Sequence, residues 1–157
     1  MPLEPNDAAP FFSRPDHEGH EVTLDDYAGH GLVVYFYPKA FTPGCTTESC
    51  DFRDRHEAFY AAGYEIIGVS PDPADALARF RDEHALPFPL LSDEDHSMAE
   101  AFGAWGTKKN YGREYEGLIR STIVIGPDAT IERAWYNVKA TGHGARVARE
   151  MGVGDSA

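Results

Sequence analysis

Leu32-Val33-Val34-Tyr35-Phe36-Tyr37-Pro38-Lys39-Ala40-Phe41-Thr42-Pro43-Gly44-Cys45-Thr46-Thr47-Glu48-Ser49-Cys50 is the stretch from which the fold is read, and it carries both cysteines of the chain. Its first six residues are apolar, β-branched or aromatic, which predicts a buried strand ending at Pro38. Beyond Cys50 the pattern changes: Phe52, His56, Phe59 and Tyr60 recur at helical spacing, with Asp51, Arg53, Asp54 and Glu57 on the other side. Cys45 is thereby placed where a loop becomes a helix. The first N–H groups of a helix lack intrahelical partners and carry partial positive charge, which favours a thiolate over a thiol. Cys45 is the candidate nucleophile, and a buried inert thiol is the competing reading.

Cys50 follows five residues later. In an intact helix, positions i and i+5 lie about 140° apart around the axis with Cα atoms ~8.6 Å apart. A disulfide needs Cα atoms closer than about 7 Å. A bond between the two sulfurs therefore requires the first helical turns to unwind.

The chain has 157 residues, enough for one core without disulfide staples. With 26 acidic against 14 basic residues the net charge is −12, which argues against nucleic acid or an anionic membrane as partner. No basic N-terminal region precedes an apolar run, and no segment approaches the ~20 apolar residues of a membrane span, so the expectation is a soluble, cytoplasmic protein. Two cysteines in such a setting point to redox chemistry rather than a structural bridge. The His17-Glu18-Gly19-His20 cluster falls in a predicted turn and no Cys/His tetrad has zinc-like spacing, so no metal is expected.

In chain order, Phe11-Phe12-Ser13 and Glu21-Val22-Thr23 flank a turn and predict a β-hairpin, and Leu24 to Tyr27 a helical turn. The helix after the cysteines is expected to run unbroken to Ala62-Gly63, and Tyr64 to Ser70 is the next strand. Asp72 is the predicted N-cap and Pro73 the first residue of a helix reaching His84. Pro87 to Leu91 predicts a short strand near an edge, and Ser92 or Asp93 caps a helix ending at Phe102-Gly103. Ala104 to Leu118 has no clear period and reads as a loop; Ile119 to Ile125 and Thr130 to Tyr136 form a hairpin, and His143 to Met151 a short last helix. The result is an α/β chain with a mixed central sheet flanked by helices.

Pro38, Thr42 and Cys45 match Pro-x-x-x-Thr-x-x-Cys, which resembles the active-site motif of the peroxiredoxins. The fuller string from Tyr35 to Cys50 is similar to the bacterioferritin comigratory protein (BCP/PrxQ) branch, as are Ala9-Pro10, Leu90 to His96, Trp105-Gly106 and Arg120-Ser121-Thr122. The resemblance implies a thioredoxin-like fold with an N-terminal hairpin and an inserted strand and helix. It implies one AhpC/TSA-type domain over residues 3–152 with a short tail at 153–157, monomeric or weakly dimeric. The implied activity is reduction of hydrogen peroxide and organic hydroperoxides without metal or organic cofactor. Cys45 attacks the O–O bond and becomes a sulfenic acid, Cys50 converts it to an intramolecular disulfide, and thioredoxin or a similar dithiol protein reduces that. Thr42 orients the peroxide, Pro38 shields the sulfur, Arg120 stabilises developing charge, and the Gly44 N–H approaches substrate.

Each assignment has a plainer counterpart. Thr before Pro-Gly is common turn chemistry, Pro38 could only end a strand, Gly44 could only serve the turn, Arg120 could be a solvated residue at a strand start, and Cys50 a second buried thiol. Glu48 reads as a solvated first-turn carboxylate favoured by the helix dipole. Phe41, Trp105 and Tyr111 read as site walls or as ordinary packing, and Phe41 stands where the resemblance implies a smaller residue. Two rival functions stay open: a general disulfide oxidoreductase, whose usual Cys-x-x-Cys is absent, and a redox-sensing binding module.

Overall fold

The computed structural model describes residues 2–110 and 112–153. In chain order the elements are β1 (Ser13–Pro15), β2 (Glu21–Thr23), a 3-10 turn (Leu24–Tyr27), β3 (Gly31–Phe36), α1 (Pro43–Asp54), α2 (His56–Ala61), β4 (Tyr64–Ser70) and α3 (Ala74–Glu83). They continue with β5 (Leu90–Ser92), α4 (Ser97–Ala101), β6 (Trp105–Asn110), β7 (Arg113–Leu118), β8 (Ser121–Ile125), β9 (Ile131–Tyr136) and α5 (His143–Met151). The central sheet has the order β5-β4-β3-β8-β9. β3 runs parallel to β4, and β4 to β5, whereas β8 and β9 are antiparallel additions.

Every residue of β3 is buried because both faces of the sheet are covered. The two-residue alternation of a strand sends Val33 and Tyr35, with Tyr37 just beyond the strand, to one face. There they pack with Phe52 of α1, Phe59 of α2, Leu77 and Phe80 of α3 and Val147 of α5. Leu32, Val34 and Phe36 face the other way, against Phe12, Met98, Phe102 and Leu118. The strand predicted from its apolar run thus divides two cores, and the cysteine helix lies over the first.

Four local expectations are corrected. The predicted loop from Ala104 to Leu118 is a hairpin in which Trp105 faces Leu118 and Asn110 faces Arg113. Backbone pairing carries this arm, and its polar residues show no one-sided pattern to read. The single helix predicted to Ala62-Gly63 breaks at Arg55 (φ −107°, ψ 2°), whose N–H bonds back to Phe52 O at 3.1 Å. The break turns Tyr60 away from the core, leaving it 64% exposed.

The N-cap of α3 is Pro73 rather than Asp72; the Asp72 carboxylate instead accepts from the Ala40 N–H at 2.7 Å and the Ser70 hydroxyl at 2.8 Å, tying the cysteine loop to the end of β4. His96, in left-handed conformation, is the N-cap of α4, while Asp93 reaches over it to accept from the N–H groups of Met98 and Ala99 at 3.0 and 2.9 Å. Side-chain reach separates the residue that satisfies a helix end from the residue at its backbone boundary. Among the described residues no helix is long and apolar enough to cross a membrane. The predicted tail at 153–157 lies outside the described residues except for Val153.

Candidate active site

Pro43 opens α1, where its missing N–H costs nothing, and Thr42 precedes it in extended conformation. Cys45 is therefore in the first turn, with the unpartnered end of the helix around it. Its side chain is fully buried, and Cys50, five residues on, is half-buried; both are free thiols.

Arg120 immediately precedes β8, the strand beside β3. Its Nη2 donates to Cys45 Sγ at 3.3 Å while its Nη1 donates to Glu48 Oε1 at 2.6 Å. One planar guanidinium thus bridges the sulfur and a carboxylate, a geometry that a lysine could not reproduce. Burial works against the cation, yet Glu48 and Cys45 hold the Arg120 pKa above its ordinary value.

Glu48 is not the solvated carboxylate expected. It is fully buried, and its second oxygen has no hydrogen-bond partner among the described residues. Burial pushes its pKa up to about 7, against the pull of Arg120. The i+3 spacing from Cys45, which sets both on one helix face, was the available signal.

The other expected site residues fall around this pair. The Thr42 hydroxyl makes no cap bond to α1; it donates to Lys39 O at 2.7 Å, which leaves its oxygen lone pairs to accept. Gly44 lies beside the guanidinium: a Cβ built there would be in ordinary contact with Arg120 Nη2 at 3.4 Å. Pro38 is half-buried just beyond β3. Phe41 is 44% exposed at the loop, in left-handed conformation (φ +67°), with its ring edge-on to Phe80. Trp105 is occupied by a stack on His96 at 3.8 Å, and Tyr111 lies outside the described residues. Among the described residues no three His, Cys, Asp or Glu side chains are grouped to hold a metal ion.

Sequence reasoning missed three further groups. Tyr35 donates to the Ser49 hydroxyl at 2.9 Å in the core beneath α1. His143, at the start of α5, is buried with its Nε2 2.8 Å from the Thr122 hydroxyl. Asp51 accepts from the Ala145 N–H of α5 at 3.0 Å. Polar residues on a helix read as solvent-facing unless their partners, distant in sequence, are known.

Glu48 and His143 make opposite contributions to stability over overlapping pH ranges. Burial pushes His143 down from 6.5 to about 4, so the stability it contributes is present above 6.5 and is lost as pH falls through about 4. Glu48 is raised from 4.5 to about 7, so its contribution is full below 4.5 and is lost as pH rises through about 7. Thermal unfolding of reduced protein checks this: from pH 7 to pH 4.5 the melting temperature of Glu48→Gln should fall further than wild type, and that of His143→Gln should fall less. Parallel curves for all three proteins would contradict it.

A family model described as the AhpC/TSA family matches residues 5–134. Peroxiredoxin Bcp of Bacillus subtilis (strain 168) is 45% identical over 151 residues, 96% of either chain. Peroxiredoxin Bcp of Escherichia coli (strain K12) is 44% identical over 142 residues, 90% of this chain and 91% of its own. A structure of Xanthomonas campestris bacterioferritin comigratory protein, described for its alkyl peroxide reduction activity, superimposes with a TM-score of 0.85 at 38% identity, covering 90% of each chain. Sequence and architecture agree along the same span, which contains the strand, the cysteine loop and the arginine: the chain belongs to the AhpC/TSA family, in the bacterioferritin comigratory protein branch of the peroxiredoxins, and is a thiol-dependent peroxidase on a thioredoxin fold.

Proposed function

We propose that residues 3–152 form one catalytic unit that reduces hydrogen peroxide and organic hydroperoxides at Cys45, is resolved by Cys50, and is recycled by thioredoxin or a similar dithiol protein. The observation that carries this is the guanidinium of Arg120 held 3.3 Å from Cys45 Sγ by its 2.6 Å bond to Glu48. A charge fixed there stabilises a thiolate before attack and the oxygen that leaves during it. The sulfur electron pair attacks the nearer peroxide oxygen, the O–O bond breaks, and the departing oxygen takes a proton to become water or an alcohol. Cys45 is left as the sulfenic acid.

Thr42 serves as acceptor toward the peroxide O–H, the Gly44 N–H approaches the substrate beside the guanidinium, and Pro38 limits water at the sulfur. The exposed ring of Phe41 offers an apolar rim to the substituent of an organic hydroperoxide. A cation and a carboxylate built around one sulfur suit peroxide cleavage better than they suit general disulfide exchange or a sensing module. The net charge of −12 disfavours nucleic-acid and anionic-membrane partners and favours a monomer or weak homodimer.

The test is a coupled assay in which thioredoxin and its reductase supply electrons and NADPH loss is followed, with hydrogen peroxide and cumene hydroperoxide compared. Peroxide-dependent NADPH loss with either substrate supports the reading. Its absence with both, together with failure of the fully reduced protein alone to consume one equivalent of peroxide, overturns it.

A further inference from the structure

α1 carries both cysteines, and the two residues flanking Cys50 each tie it by a side-chain hydrogen bond to another element of the fold. Ser49 accepts the hydroxyl proton of Tyr35 at 2.9 Å, and both residues are fully buried. Tyr35 is itself fixed: its ring stacks on Phe52 at 4.7 Å and on Tyr37 at 5.4 Å, and its far end lies so close to Gly68 that a Cβ there would approach it to 2.8 Å. Burial holds its phenol protonated, so it remains a donor.

Asp51 faces the other neighbour. One carboxylate oxygen accepts from the Ala145 N–H in the first turn of α5 at 3.0 Å, and Gly144 is packed against it so tightly that a Cβ would lie 2.7 Å away. The second oxygen accepts from Arg55 Nε at 3.0 Å. The helix break at Arg55 lies just beyond, and α2 is anchored separately by the buried Phe59. The piece that unwinds is therefore the second half of α1, held by these two attachments together with the buried Phe52 ring and the bond from Arg53 Nη1 to His84 O at 2.8 Å.

We propose that the Tyr35–Ser49 bond and the Asp51 cap on α5 form a two-point latch that sets how often Cys50 is released toward Cys45, so that Tyr35, Ser49 and Asp51 are positioning residues for disulfide formation. This rests on the reading in which Cys45 and Cys50 form an intramolecular disulfide. In that step the Cys50 sulfur attacks the sulfur of the Cys45 sulfenic acid, the S–S bond forms, the S–O bond breaks, and the leaving hydroxide takes the Cys50 proton as water. While the latch is closed the sulfenic acid waits, exposed to a second peroxide that would convert it to sulfinic acid. A loose latch favours resolution; a tight one favours overoxidation.

The experiment uses the full chain equilibrated in dithiothreitol redox buffers, with the thiol and disulfide forms quantified by alkylation and mass spectrometry. Removing the Ser49 hydroxyl (Ser49→Ala) should favour the disulfide about five-fold, the factor one net hydrogen bond is worth. That factor corresponds to a reduction potential ~20 mV more negative. Tyr35→Phe, which keeps the ring stack, should do the same, and the double variant should shift no further than either single one because both lose one shared bond. Asp51→Ala should shift in the same direction and Asp51→Asn, which keeps an acceptor, by less. With excess hydrogen peroxide, the fraction carrying sulfinic acid should fall about five-fold in Ser49→Ala, by the same single-bond factor.

A role in fold stability alone would destabilise reduced and oxidised protein equally and leave the potential at the wild-type value, and that result overturns the latch, as would additive shifts in the double variant. The redox-buffer measurement needs no peroxide. A shifted potential in a protein that fails to consume peroxide would sustain the latch while refuting the peroxidase reading, and normal peroxide turnover with an unshifted potential would do the reverse.

Discussion

Cys45→Ser should bring peroxide consumption down to the uncatalysed background, whereas Cys50→Ser should still consume one equivalent and then stop. The difference follows from position. Cys45 sits in the first turn of α1 with Arg120 Nη2 3.3 Å from its sulfur, and a serine hydroxyl placed there has no accessible anion to attack an O–O bond. Cys50 is five residues along the helix, outside the contacts that Arg120 makes, so its loss should spare the first step and block the second. A single-turnover reaction followed by dimedone trapping reads this directly: a sulfenic acid adduct on Cys45 in Cys50→Ser, and none in Cys45→Ser. Equal silence of both variants toward one equivalent of peroxide would show that the roles are assigned wrongly.

Arg120→Ala should slow the same single turnover by roughly 10²- to 10³-fold, the loss typical when one preorganised donor is removed from a developing anion. The effect is large because the guanidinium is not a solvated surface charge. It is mostly buried, fixed by Glu48 at 2.6 Å, and its removal also leaves that carboxylate buried without its only charge partner among the described residues. Arg120→Lys should recover little, since a single ammonium cannot serve the sulfur and the carboxylate together. A stopped-flow rate for Arg120→Ala within a few-fold of wild type would remove Arg120 from the chemistry.

Several elements were readable because their determinants are local. The run from Leu32 to Tyr37 is apolar at every position, and a segment buried on both faces has no other composition available to it. The placement of Cys45 at a loop-to-helix junction follows from the helical spacing beyond Cys50, and the structure starts that helix at Pro43; Pro38, Thr42 and Cys45 were found by a short motif. Arg120 was legible only through resemblance, since a basic residue beside a strand carries no local sign of the sulfur it will meet 75 residues away. The β6–β7 arm was not legible because its sequence has no clear period, and the pairing that defines it is made through backbone groups. Glu48 was misread for a related reason: it was expected in the first helical turn, solvated, whereas α1 starts at Pro43 and sets it one turn further in, where only the arrival of Arg120 from beside another strand makes its burial tolerable.

Composition, periodicity and spacing were sufficient to determine an α/β chain with a thiol at a helix start and a second thiol that cannot reach it without unwinding, because those properties depend on residues within a few positions of each other. Tertiary structure alone decided which charge faces the sulfur, which carboxylate is buried, and which contacts hold the helix closed. Arg120 with Glu48, Tyr35 with Ser49 and Ala145 with Asp51 are partners distant in sequence. Their interactions exist only once the sheet has set β3, β8 and the two helices side by side, so no local pattern encodes them.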